Sequence, residues 1–128
     1  MKLLIDTHFV ILLADDWIDQ SAHPNRDIIL HESSEVFVSV ASLWEVEIKS
    51  RIGKLPLKDP VRNWSGMLEN AGARILPVEL QHVVADIGPE PEINDPFDRL
   101  LPSTCAAEKF RLVTVDRALV DHPLAWRG

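Results

Sequence analysis

Asp6, Glu45, Asp98 and Asp116 are the residues of this sequence best placed to do chemistry together. Asp6, Glu45 and Asp116 each stand where an apolar run gives way to a helix or a loop, and Asp98 opens a helix. Carboxylates gathered in one place repel one another, so either some keep their protons or a cation holds the group. An all-oxygen ligand set suits Mg²⁺ or Mn²⁺. Such ions can polarise a phosphoryl oxygen, generate a hydroxide and steady a leaving oxygen. Each acid also has a purely local role open to it. In Ile93-Asn94-Asp95-Pro96-Phe97-Asp98, Asp95 can cap a helix, Pro96 suits its first position, and Asp98 fills the acid slot of a capping box. Ser42 to Glu45 repeats that spacing, Asp6 can cap, and Asp116 can begin a turn. The two roles are compatible, because a cap can also hold a ligand in place. Thr7 and Thr114 bring hydroxyls to the same neighbourhood, as supports for the acids.

The elements that must position these acids follow from the apolar pattern. Lys2 to Ile5, Val36 to Val38, Arg74 to Val78 and Leu112 to Thr114 read as short strands. Helices are expected from Thr7 to Asp15-Asp16, Pro24 to Ser34, Ser42 to Ile52, Pro60 to Asn70, Glu79 to Ile87 and Asp95 to Lys109. A loop or short turn is expected from Asp16 to His23, a helical turn from Asp116 to Val120, and an edge strand at Leu124 to Trp126. Pro102 falls inside the helix begun by Asp95, where the missing N–H predicts a kink or a break. Strands alternating with helices imply an α/β fold with a mostly parallel sheet covered on both faces. Ligands of such sheets bind beyond the carboxyl ends of the strands. All four acids can point there.

The chain has 128 residues, 46% of them apolar, which suits one domain with one core. No apolar run is long enough for a bilayer, and no signal-peptide pattern opens the chain, so no membrane is expected. The lone Cys105 cannot form an internal disulfide and reads as packing, which fits a reducing cytoplasm. A net charge of −7 argues against bulk electrostatic binding of nucleic acid, although acids that bind cations contribute to it. Locally, Lys49, Arg51, Lys54, Lys58 and Arg62 form a basic run, either a solvated face or a phosphate-contacting rim. Arg99 and Arg117 lie beside two of the acids, where they either face solvent or serve as resident counter-charges. Gly-x-Gly-x-x-Gly, P-loop and Gly-x-Ser-x-Gly motifs are absent, and the five histidines have no zinc spacing with Cys105.

Four blocks in order carry a resemblance. They are Leu3-Leu4-Ile5-Asp6-Thr7-His8, then Val38 to Glu45 running on to Gly53-Lys54-Leu55, then Asp95-Pro96-Phe97-Asp98-Arg99-Leu100-Leu101, and Leu112-Val113-Thr114-Val115-Asp116. Together they resemble the PIN-domain family, and within it the VapC-type toxins of bacterial toxin–antitoxin pairs. The resemblance implies a PIN-like α/β/α sandwich and a Mg²⁺- or Mn²⁺-dependent endoribonuclease. It further implies a homodimer and a VapB-like antitoxin that blocks the site. Asp6, Glu45, Asp98 and Asp116 match the family's metal-binding acids, with Asp95 as a supporting acid. The segment Leu101-Pro102-Ser103-Thr104-Cys105 departs from the unbroken apolar helix usual in relatives. Two other classes stand beside this reading. One is a catalytically silent PIN fold acting as an RNA- or protein-binding module, which loss of any one acid would favour. The other is a phosphatase-like enzyme, which would want a second acid where His8 stands.

Overall fold

The structure is a computed structural model that describes residues 1–15, 18 and 23–128. Its elements are β1 (Lys2–Ile5), α1 (Thr7–Ala14), α2 (Arg26–Leu30), β2 (Glu35–Ser39), α3 (Val40–Arg51), a 3₁₀ turn (Val61–Asn63), α4 (Trp64–Asn70), β3 (Ala73–Leu76), α5 (Leu80–Val84), α6 (Pro96–Glu108) and β4 (Arg111–Val113). The four strands are all parallel, in the order β3-β2-β1-β4. The chain steps from β1 to β2 to β3 in one direction, then returns across the sheet to place β4 on the free side of β1. With right-handed crossovers, that reversal puts α1, α3 and α4 on one face and α6 on the other.

Side-chain alternation along each strand serves both faces. Leu3, Ile5, Val36, Val38 and Val113 pack with Phe9, Val10, Leu13, Val46, Trp64 and Leu68. Leu4, Phe37 and Leu112 point the other way, to Leu101, Cys105, Phe110 and Leu119. Phe37 and Phe110 stack there with centroids 4.5 Å apart. Cys105 is fully buried, and burial pushes its thiol up, in keeping with a packing role.

Several expected boundaries shift, each for a local reason. α2 is shorter than Pro24 to Ser34: its chain turns extended at His31, whose ring accepts from Ser33 N–H, and Ser34 Oγ donates to Ile28 O. α5 stops at Val84, and Ala85 is extended, rather than running on to Ile87. α6 passes through Pro102 without the expected break. The missing N–H leaves one carbonyl, that of Asp98, without its helical donor. Leu101 to Cys105 are buried together, and Ser103 and Thr104 hydroxyls both donate to Leu100 O. The expected edge strand is a single parallel bridge, Leu112 to Ala125, flanked by two backbone hydrogen bonds. The segment expected as a loop from Asp16 to His23 lies outside the described residues apart from Ile18 and His23.

Candidate metal centre

The sheet order reverses between β1 and β4, so the crevice beyond their carboxyl ends is the topological switch point. A cavity of about 300 Å³ opens there, lined by Asp6, Glu45, Asp98 and Asp116 together with Thr7 and Thr114. Asp6 directly follows β1. Its Oδ1 accepts from Phe9 N–H at 3.3 Å, which caps α1, and its Oδ2 accepts from Val115 N–H at 2.9 Å. Asp6 is thus both a cap and a wall of the crevice, and it is buried. Beyond β4, Thr114 Oγ1 accepts from Asp116 N–H at 3.0 Å, and Asp116 Oδ1 accepts from Ala118 N–H at 2.9 Å.

Glu45 arrives differently from the sequence expectation. Ser39, not Ser42, is the N-cap of α3, its hydroxyl accepting from Ala41 N–H at 3.0 Å. β2 runs straight into α3 with no loop, so Ser42 falls inside the first turn and Glu45 one turn further on. The box expected from Ser42 to Glu45 is therefore not formed, and the Ser42 hydroxyl is buried without a partner among the described residues. Glu45 is buried, and both its oxygens are taken: Thr7 Oγ1 donates to Oε1 and Lys49 Nζ to Oε2, each at 2.7 Å.

Asp95 caps α6 through Phe97 N–H at 3.0 Å. Asp98, three residues on, closes no capping box, and among the described residues its carboxylate has no hydrogen-bond partner. Burial, followed by the charges of Asp95, Asp116 and Glu45, raises its pKa to about 6 against the opposing pull of Lys49. Oxygens of Glu45, Asp95 and Asp98 lie within 4.8 Å of one another. Asp6 and Asp116 line the same crevice but lie outside that compact trio. Asp95, expected only as a supporting acid, sits inside it. Trp44 and Phe97, each the residue just before an acid, meet edge to face with centroids 5.2 Å apart and tie α3 to α6.

This donor set fits a hard divalent cation. Its ligand atoms are all oxygens, and the bare, strained Asp98 carboxylate would be relieved by a positive charge. Of the two arginines beside the acids, Arg99 instead grips Glu90 at 2.7 Å and Arg117 is exposed. The counter-charge in the crevice is Lys49, whose pKa is raised first by its hydrogen bond to Glu45 and further by the charges of Glu45, Asp95 and Asp98. In the sequence Lys49 belongs to a basic run; the sharper signal is Glu45 four residues before it, a favourable pair on a helix.

A second group, Glu79, His82 and Glu108, also brings ligand atoms within 4.8 Å. There His82 Nδ1 accepts from Glu79 N–H at 3.1 Å, closing the start of α5, and Nε2 meets Glu108 at 2.8 Å, tying α5 to α6, so both ring nitrogens are engaged. This is a capping box, Glu79 with His82.

A doubly wound sheet with a carboxylate crevice at its switch point defines an α/β protein whose acids gather at one end of the sheet. The sequence matches the PIN domain over residues 3–123, and the chain belongs to that family. A search of curated proteins gave no match. Among solved structures, the chain is similar to one in the crystal structure of VapBC2 from Rickettsia felis bound to a DNA fragment from their promoter. The TM-score is 0.65 at 17% identity, over 98% of this chain and 96% of that one.

Proposed function

We propose that this chain is a VapC-type toxin, a divalent-metal-dependent endoribonuclease that cleaves RNA phosphodiester bonds. The observation that carries the reading is the convergence of Asp6, Glu45, Asp98 and Asp116 on one crevice, with Asp98 left bare. A bound Mg²⁺ or Mn²⁺ ion supplies Lewis-acid polarisation of a phosphoryl oxygen and an activated water. The chain's own residues prepare the place. Two backbone N–H groups fix both oxygens of Asp6, so its orientation is set before any ligand arrives. Thr7 aims Glu45, and Thr114 fixes the backbone at Asp116. Asp95 supports the pair of Glu45 and Asp98.

The partners follow from the same reading. The VapBC2 complex supports a VapB-like antitoxin as the inhibitor. Leu80, Val83 and Val84 expose 76%, 54% and 65% of their surface on α5, which supports a homodimer that covers them. No helix among the described residues is long and apolar enough to cross a membrane, and the setting proposed is the cytoplasm.

The test is incubation of the purified protein with RNA in Mg²⁺, in Mn²⁺ and in excess EDTA. Cleavage with either ion that stops in EDTA and in Asp98→Asn is expected. Cleavage undiminished in EDTA, or none with either ion, overturns the reading.

A further inference from the structure

We infer that Lys49 is the residue that receives the substrate's phosphate, and that it competes with the divalent cation for Glu45. This inference rests on the nuclease reading above. Lys49 is the one lysine or arginine lining the crevice among the described residues. The rest of the basic run goes elsewhere: Arg51 pairs with Glu47 on the outer side of α3, and Lys54, Lys58 and Arg62 are exposed beyond the crevice. An RNA phosphate entering a crevice walled by acids, in a chain of net charge −7, meets a single local cation.

The ammonium is free to act. It donates one hydrogen bond, to Glu45 Oε2, and has no other partner among the described residues. An ammonium carries three donors, so two remain for a ligand. The side chain is 47% exposed, and a half-exposed i,i+4 pair holds it only weakly. Glu45, by contrast, has both oxygens occupied, by Thr7 and by Lys49. A cation that takes Glu45 draws on the oxygens that Lys49 and Thr7 now share and repels the ammonium beside it, so Lys49 gives way at Oε2 and stands beside the place where the phosphate enters. The pairing is therefore an exchange: Glu45 holds Lys49 when the crevice lacks a divalent ion, and phosphate holds it otherwise.

Two variants test this, Lys49→Met, which keeps length without charge, and Lys49→Arg, which restores charge. Binding of a single-stranded RNA oligonucleotide is measured across a salt series with Ca²⁺ in place of Mg²⁺, so that affinity is read without turnover. Mn²⁺ binding is measured separately by calorimetry without RNA. Lys49→Met should weaken RNA binding about 10- to 100-fold. It should also flatten the slope of log affinity against log salt by about 0.7, with the slope restored in Lys49→Arg. In the same protein Mn²⁺ binding should tighten. A surface ion pair with no further role would leave the salt slope where it was. An unchanged slope, or wild-type protein that binds no RNA, overturns the phosphate contact; unchanged or weaker Mn²⁺ binding overturns the competition. If the slope changes as expected but wild-type protein cleaves nothing in Mg²⁺, the nuclease reading fails while the Lys49 contact stands.

Discussion

Asp98→Asn should make the metal-free protein more stable while removing its activity. Among the described residues Asp98 is the acid of the crevice without a hydrogen-bond partner, and burial with neighbouring acids raises its pKa from 3.8 to about 6. A raised acid is favoured in its protonated form by the folded state. Its contribution is therefore fully present below about pH 4 and is lost as pH rises through about 6. Above that, the folded protein carries the cost of an ionised Asp98. At 1.36 kcal/mol per tenfold the cost is at most about 3 kcal/mol. Solvent screening at this partly exposed side chain reduces it to about 1–2 kcal/mol. Asparagine keeps the shape without the charge, so the variant should melt about 4–8 °C higher in EDTA near neutral pH. The difference between the two proteins should shrink as pH falls toward about 4. Saturating Mg²⁺ should reverse the order, because binding stabilises only the protein that binds. The assay is thermal unfolding by circular dichroism across pH, with and without Mg²⁺, beside RNA cleavage. A variant that melts lower than wild type in EDTA, or a difference that ignores pH, refutes the reasoning.

Asp6→Asn should behave in the opposite sense, since an amide can accept only one of the two backbone N–H groups now held by the carboxylate. A loss of about 1–3 kcal/mol in denaturant unfolding is expected in the absence of metal. Thr7→Val removes the 2.7 Å donor to Glu45. It should cut the cleavage rate roughly tenfold, as expected for a net hydrogen bond to a charged group of about 1.5 kcal/mol or more, and leave RNA affinity nearly unchanged, read from kcat and KM. Leu80→Glu puts a charge in the exposed face of α5. Light scattering should then show monomers for the variant and dimers for wild type, with no loss of melting temperature in the monomer's own fold.

The gathering of the acids was more legible than the local scaffolding. Asp6 and Asp116 stand shortly beyond strands that a short apolar run reveals, Glu45 and Asp98 lie in the early turns of helices, and the structure lines one crevice with all four. How each acid is held was harder to read. Ser39 and Ser42 are three residues apart in Val-Ser-Val-Ala-Ser, and either can cap. The choice depends on β2 running directly into α3, which local spacing does not encode. Pro102 argued locally for a break, but burial of Leu101 to Cys105 outweighs one lost hydrogen bond. Asp95 reads as a cap and is one, yet its place against Glu45 depends on how α6 docks on α3, a long-range contact. The capping box that does form, Glu79 with His82, uses histidine in the slot usually given to glutamate or glutamine.

The bond from Val115 N–H to Asp6 joins residues 109 apart in sequence. Asp6 N–H likewise donates to Val113 O at 2.9 Å. The first strand of the chain is thus completed by the last, at the very wall of the crevice. Non-local pairing in a parallel sheet forms late, after its loop-closure entropy has been overcome. During synthesis, Asp6, Glu45 and Asp98 would all emerge before the segment that locks the first of them. A nascent chain short of Val115 therefore has most of the acids and no finished crevice. Ribosome-bound chains halted before Leu112 should bind no Mn²⁺ at concentrations that saturate the released protein; binding by the halted chains would show that the crevice assembles without its last strand. In a ribonuclease of the kind proposed, such a delay would keep the chain harmless to the ribosome and message that are making it.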